Sequence, residues 1–266
     1  MRGLSLFSGI GGLDLAFEWA GGTVEAMCEI DPYCRKVLQK HWPDIPLFED
    51  VRRLKGEDVG AVDIIYGGFP CQPFSVAGNQ KGRDDERYLW PEFSRLVGEL
   101  KPRWVVAENV PGILHIAADD VCADLERQGY SVGIFDFEAA AVGAPHRRER
   151  IFFVAHSDSS LRQRSDESGN FFKKNGTRNA VKSERPSSTF IPDTSSTRQH
   201  WSISGRLQTA FAPFGLLCRW KPEPRMGRVA HGIPNRVDRI RALGNAVVPQ
   251  QAYPIFQAIL EQEGQR

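Results

Sequence analysis

The sequence predicts an α/β fold, a doubly wound and mostly parallel sheet covered by helices, with a small irregular region set into the C-terminal half. Three observations carry this expectation. Short apolar runs of strand length alternate with helical patterns through residue 155, as βαβ units do. The first run, Arg2 to Phe7, leads into a glycine-rich turn, Gly9-Ile10-Gly11-Gly12, that opens a helix. After His156 the alternation stops, and Ser, Thr, Asn, Arg and Lys dominate as far as Trp201.

Taken in order, Arg2 to Phe7 reads as a strand and Gly12 to Ala20 as a helix with Leu13, Ala16, Phe17 and Ala20 on one face. Thr23 to Ile30 is a second strand. The helix after it runs from Pro32 to His41, with proline in the first turn, where its missing N–H would have no partner anyway. Val62 to Tyr66, Trp104 to Ala107, Ser131 to Phe137 and Ile151 to Ala155 supply further strands, with helices at Pro91 to Leu100 and Asp119 to Gln128. His156 to Trp201 reads as long polar loops of the kind that carry function. An apolar patch from Ala210 to Trp220 could anchor that region as a small domain. Regularity returns near Gly232 and ends in an amphipathic helix, about Gln250 to Glu261, whose Ala252, Ile255, Phe256 and Ile259 should pack back on the first domain. The expected division is 1–155 with 232–266 as one domain and 156–231 as a second region.

The net charge of +1 conceals an asymmetry. Met1 to His146 holds 14 Lys and Arg against 23 Asp and Glu, whereas Arg147 to Arg228 holds 16 against 7. A basic segment beside an acidic one suits a polyanion-binding half attached to a catalytic half, or a solvated basic surface. No apolar stretch approaches the roughly 20 residues of a membrane span, and the N-terminus leads straight into a strand, so a cytoplasmic protein is expected. Five cysteines without CxxC pairing fit reduced thiols and no metal site. Cys28, Cys34 and His41 match no standard ligand spacing.

Two stretches carry chemistry. In Gly67-Gly68-Phe69-Pro70-Cys71-Gln72-Pro73-Phe74-Ser75, one cysteine stands between prolines directly after a buried run. The prolines restrict φ and leave the loop few conformations to lose, which suits a nucleophile; a cysteine packed as a small hydrophobe is the alternative. At the other stretch, Gly9, Gly11 and Gly12 let backbone approach a ligand at a helix N-terminus, and Glu29 follows Gly9 by 20 residues, the spacing of a ribose-hydroxyl acceptor. The turn is not GxGxxG, which disfavours a nicotinamide cofactor. Arg148 and Arg150 alternate by two at the start of Ile151-Phe152-Phe153-Val154 and so should point to one side of an extended segment, while Arg147 suits a surface salt bridge.

Gly67 to Ser75 resembles the Pro-Cys-Gln motif of the DNA (cytosine-5)-methyltransferase family. Leu4 to Asp14, Glu108-Asn109-Val110, Arg148-Glu149-Arg150 and Gly244-Asn245-Ala246-Val247-Val248-Pro249 resemble further motifs of that family, in the same order. The resemblance covers about Leu4 to Ala155 and Arg236 to Pro249. It implies a Rossmann-like class I fold that binds S-adenosylmethionine (AdoMet), with 156–231 as the target-recognition region. It implies cofactor contacts at Phe7 (adenine), Gly9, Gly11, Gly12, Glu29 (ribose), Ile30, Asp50 (adenine amino group), Val51, Pro70, Leu89 and Asn245. Some members carry an aromatic where Ile30 stands. The catalytic set implied is Cys71 as the nucleophile on cytosine C6, Glu108 at cytosine N3, and Arg148 and Arg150 toward the target base. The family often has Gln where this chain has His146. Because duplex DNA hides the reacting atoms, the base must be flipped out, and Ser75 to Arg87 suits a loop closing behind it. The resemblance further implies a monomer acting on double-stranded DNA, in restriction-modification beside a separately acting cognate endonuclease or in phage self-protection. A tRNA cytosine methyltransferase and a non-catalytic DNA-binding homologue are the alternatives. A Cys/His hydrolase lacks a partner, since His115 and His146 lie in no recognised arrangement with Cys71.

Overall fold

The structure, a computed structural model, describes residues 1–70, 88–157 and 235–264. Cys71, the loop Ser75 to Arg87, the patch Ala210 to Trp220 and nearly all of the expected recognition region lie outside the described residues. Within them a seven-stranded sheet runs in the order β3-β2-β1-β4-β5-β7-β6. Its strands are β1 (Arg2–Leu6), β2 (Thr23–Cys28), β3 (Leu47–Phe48), β4 (Ile64–Gly68), β5 (Trp104–Asn109), β6 (Tyr130–Phe137) and β7 (Arg150–Ser157). The first five are parallel; β7 lies antiparallel between β5 and β6.

The chain builds outward from β1 to β2 and β3, then returns across β1 to add β4 and β5. The strand order therefore reverses between β1 and β4, and in open α/β sheets ligands sit beyond the carboxyl ends of the strands at such a point. The central strands are covered on both faces, which is why they read as continuous apolar runs. Leu4, Leu6, Ile65, Val105 and Ala107 face one buried cluster, completed by α4 (Trp90–Leu100) and α6 (Ala118–Arg127). Ile64, Tyr66, Trp104 and Val106 face the other, completed by α1 (Gly12–Trp19) and a C-terminal helix.

The remaining helices are α2 (Pro32–His41), the single turns α3 (Gly56–Val59) and α5 (Ile113–Ile116), then α7 (Arg236–Asn245) and α8 (Pro249–Gly264). Asp31 caps α2, its Oδ1 accepting from the Tyr33 and Cys34 amides at 2.8 and 3.2 Å, which satisfies donors that the first turn leaves free. α8 behaves as its pattern predicts. Ala252, Ile255, Phe256 and Ile259 are all buried against Leu13, Ala16 and Phe17 of α1. The three large side chains contribute about 1.5–3 kcal/mol each, and Glu263 near the far end of the helix adds bonds from Arg103 and the Trp104 indole.

The sequence pattern stopped β4 and β5 early. β4 continues through Gly67 and Gly68, and β5 through Glu108 and Asn109. These extra residues are not apolar, so periodicity alone truncates both strands at the edge where the site forms.

Candidate active site

The turn after β1 holds a left-handed backbone at Phe7, Gly9 and Gly11. Gly11 caps α1, and a Cβ there would stand 2.4 Å from the Trp42 ring, so only glycine fits. Glu29, just past β2, ties the turn in place: Oε2 accepts from the Gly9 amide at 2.7 Å and Oε1 from the Asp31 amide at 2.8 Å. Burial raises the Glu29 carboxyl above its usual range, while these two amides oppose the shift. Each oxygen keeps a lone pair for a further donor such as a ribose hydroxyl.

Beside this turn a cavity of about 440 Å³ is lined by Ile30, Arg35, Phe48, Glu49, Asp50, Arg53, Leu54 and Asp58. Ile30 is 58% exposed. Arg52 binds both Asp50 carboxylate oxygens, at 2.9 Å each, and holds that carboxyl below its usual range. Ile30, Phe48 and Leu54 give the cavity an apolar part, and Glu49, Asp50 and Asp58, beside Arg35 and Arg53, give it acceptors for the amino and hydroxyl groups of a nucleoside. Val51 is buried in the core, and its carbonyl accepts from Arg95 at 2.9 Å. Phe7 and Leu89 pack against the same core cluster. Gly9, Glu29, Ile30 and Asp50 thus gather along the carboxyl ends of β1, β2 and β3.

A second centre forms at the ends of β4 and β5. Glu108 is 7% exposed and pairs with Arg150, whose Nε lies 2.8 Å from Oε1. Burial pushes the Glu108 carboxyl up to about 7, with Arg150 and then Arg148 opposing. Gly68, its register partner on β4, leaves room for the acid: a Cβ there would lie 2.5 Å from Oε2. Asn109 reaches back, its Nδ2 donating to the Phe69 carbonyl at 3.1 Å and its Oδ1 accepting from the Val110 amide at 2.8 Å. Asn109 therefore holds the main chain one residue before Pro70, where the described residues stop short of Cys71.

The expectation that Arg148 and Arg150 share one side of an extended segment is corrected. β7 begins only at Arg150, and Arg148 has φ +39. The left-handed residue breaks the alternation. Arg150 pairs directly with Glu108, and Arg148, whose charge also acts on Glu108, donates through Nη2 to the carbonyls of Gly244, at 2.8 Å, and Ala246. Arg148 thereby fastens the turn that holds Asn245. Arg147 does form the expected surface pair, with Glu138 at 2.6 Å.

Residues 1–214 match the family model for C-5 cytosine-specific DNA methylases. The chain belongs to this family. Relatives of this methylase chain include the type II methyltransferase M2.BsuMI of Bacillus subtilis, 32% identical over 58% of this chain and 42% of its own. The type II methyltransferase M.NgoMIV of Neisseria gonorrhoeae is 38% identical over 57% of this chain and 50% of its own. This methylase chain thus spans about half the length of the curated relatives it matches. A crystal structure described as a DNA modification methyltransferase encoded within an E. coli prophage superposes with TM-score 0.53 at 33% identity, covering 61% of this chain and 48% of that one. DNMT2 of Spodoptera frugiperda shares the fold, at TM-score 0.52 and 24% identity over 59% of this chain and 50% of that one.

Two positions of the methylase site escaped sequence reading as site residues. Gly68 enters the sequence reading only as part of the stretch leading to Cys71, yet its lack of a side chain is what admits Glu108. Gln251 is fully buried at the start of α8, where its Nε2 donates to the carbonyls of Phe137 and Arg148 at 3.0 and 2.8 Å. A polar residue on an inward-facing position of an amphipathic helix was the available signal. Among the described residues no group of three His, Cys, Asp or Glu could hold a metal, and no helix is long and apolar enough to cross a membrane.

Proposed function

We propose that this chain carries the catalytic part of an AdoMet-dependent DNA cytosine-C5 methyltransferase. The observation that carries this reading is the buried Glu108–Arg150 pair, set against Gly68 at the entry to the Pro70-Cys71 loop. Cytosine C5 is a poor nucleophile until the ring becomes an enamine. The Cys71 thiolate adds to C6, and Glu108, with a carboxyl near neutrality, places a proton at N3 as electron density moves there. Arg150 holds Glu108 in position, and Arg148 secures the Asn245 turn. Held at the glycine turn and Glu29, AdoMet would supply an electrophilic methyl group from its sulfonium, with S-adenosylhomocysteine as the product. Once C5 carries the methyl group, the C5 proton passes to a base, N3 returns its proton to Glu108 and the ring expels the Cys71 thiolate, which restores aromaticity and leaves both residues ready for the next cycle. Phe7, Gly9, Gly11, Gly12, Glu29, Ile30, Asp50, Val51, Pro70, Leu89 and Asn245 form the cofactor side in this reading.

Residues 1–155 with 232–266 form the catalytic domain, and the basic stretch within 156–231 recognises double-stranded DNA. The flipped cytosine reaches Glu108 and Cys71 across the carboxyl edge of the sheet. The protein acts as a cytoplasmic monomer, in a restriction-modification pair or in phage self-protection. Transfer of labelled methyl groups to duplex DNA, with bisulfite sequencing of plasmid from expressing cells, tests the reading. Methylated cytosines in one sequence context are expected, with loss of transfer in Cys71→Ser. Transfer to tRNA alone, or unchanged transfer by Cys71→Ser, would overturn it.

A further inference from the structure

We infer that Gln251 is a positioning residue for the base pocket, clamping both sides of the β6–β7 mouth so that Arg150 stays on Glu108. The inference rests on the functional reading above. Gln251 has one side-chain NH₂, and both of its bonds go to this mouth. One reaches the carbonyl of Phe137, the register partner of Arg150 across β6 and β7; the other reaches the carbonyl of Arg148, two residues before Arg150. Arg148 adopts a left-handed backbone that a non-glycine residue keeps only when its surroundings enforce it. The Gln251 bond to its carbonyl and the Arg148 side-chain bonds to Gly244 and Ala246 are the restraints in view.

The position is otherwise hard to account for. Gln251 is wholly buried among the apolar residues of α8, and among the described residues its Oε1 has no partner. A buried unsatisfied acceptor is costly, and an apolar residue would pack there without that penalty. The donors are therefore what the site needs. The same turn reaches the cofactor side, because the carbonyl of Val247 lies where a Cβ on Gly12 would be 2.7 Å away. Residues 244–251 therefore touch the glycine turn through Val247 and Arg148 through Gly244, Ala246 and Gln251. Gln251 closes the second contact without touching Glu108.

The charged groups facing Glu108 among the described residues are Arg150 and Arg148, and both lower its proton affinity. Releasing the segment that carries them should let the Glu108 carboxyl hold its proton to higher pH. The test uses the full chain, wild type and Gln251→Leu, in labelled methyl transfer to duplex DNA across the neutral pH range. Expected is a fall in kcat of about tenfold or more, as a misplaced catalytic group produces, with the KM for AdoMet little changed. The limb of the pH profile governed by Glu108 should move to higher pH. Unchanged kcat and an unmoved limb, or a loss lying wholly in the AdoMet KM, would overturn the inference while leaving the proposed function intact. If Gln251→Leu fails to fold, Gln251→Met, which keeps the length and drops the donor, carries the same readings. A wild-type chain that methylates neither DNA nor RNA removes the functional reading and this inference together.

Discussion

Asp14 sits inside the protein with no solvent exposure, on α1 directly behind the glycine turn. Its Oδ1 accepts from the Tyr66 hydroxyl at 3.1 Å, so one bond joins the helix that follows the glycine turn to the strand that leads toward Cys71. Among the described residues Oδ2 has no partner, and burial pushes the carboxyl up to about 6 from 3.8. A carboxyl raised in the fold is favoured when neutral: stability is greatest below the unfolded value and falls as pH rises toward the folded one. The full penalty above both values is about 3 kcal/mol. Roughly 2 kcal/mol of it develops between about pH 4.5 and about pH 7.5. Asp14→Asn keeps the acceptor for Tyr66 and cannot ionise, so the variant should gain about 2 kcal/mol on wild type between those two pH values. Urea unfolding at both values, read as midpoints at constant m, measures the difference. Parallel pH dependences for the two proteins would refute the assignment of the penalty to Asp14.

Gly68→Ala should place a methyl on the Glu108 carboxylate, displacing it and lowering kcat by about 100-fold while AdoMet binding by calorimetry stays near wild type. Asn109→Leu leaves the Phe69 carbonyl without its donor, so thermal unfolding should show a loss of about 1–3 kcal/mol together with a fall in methyl transfer. Ile30→Trp adds an aromatic face to the cavity wall. It should tighten AdoMet binding by about 0.5–1.5 kcal/mol in calorimetry, whereas weaker binding would show that the adenine lies elsewhere.

The strand-turn-helix at the N-terminus, the distance from Gly9 to Glu29 and the docked face of α8 were all legible, because each follows from local periodicity and glycine geometry. The Pro32 to His41 helix was also read with its observed bounds. What escaped depends on contacts between distant segments. Nothing near Ile151 announces that β7 inserts antiparallel between β5 and β6; that follows from its pairing with Trp104–Asn109 and Tyr130–Phe137. Arg148 looked extended because alternation is the default expectation before a strand, and the carbonyls that hold it left-handed lie nearly one hundred residues on. α7 was not singled out as a helix although Val237, Ile240 and Leu243 recur at helical spacing; it is short, and in the fold it buries only Ala242. The acid and its arginine were identified as site residues, but their direct pairing is a product of the antiparallel register.

That register also governs how the protein can be re-engineered. β7 begins beside Glu108 and ends at Ser157, whose amide bonds the Arg103 carbonyl at the opposite edge of the sheet. Its 8 residues span about 26 Å at a strand's rise per residue. Ser157 therefore lies far from Glu108, whereas the last turn of α7 is fastened by Arg148 near Glu108. A foreign recognition segment grafted after Ser157 would join the scaffold at a point where its length and stiffness exert no leverage on Glu108. Exchanges should therefore tolerate changes after Ser157 better than changes in α7, whose last turn Arg148 holds.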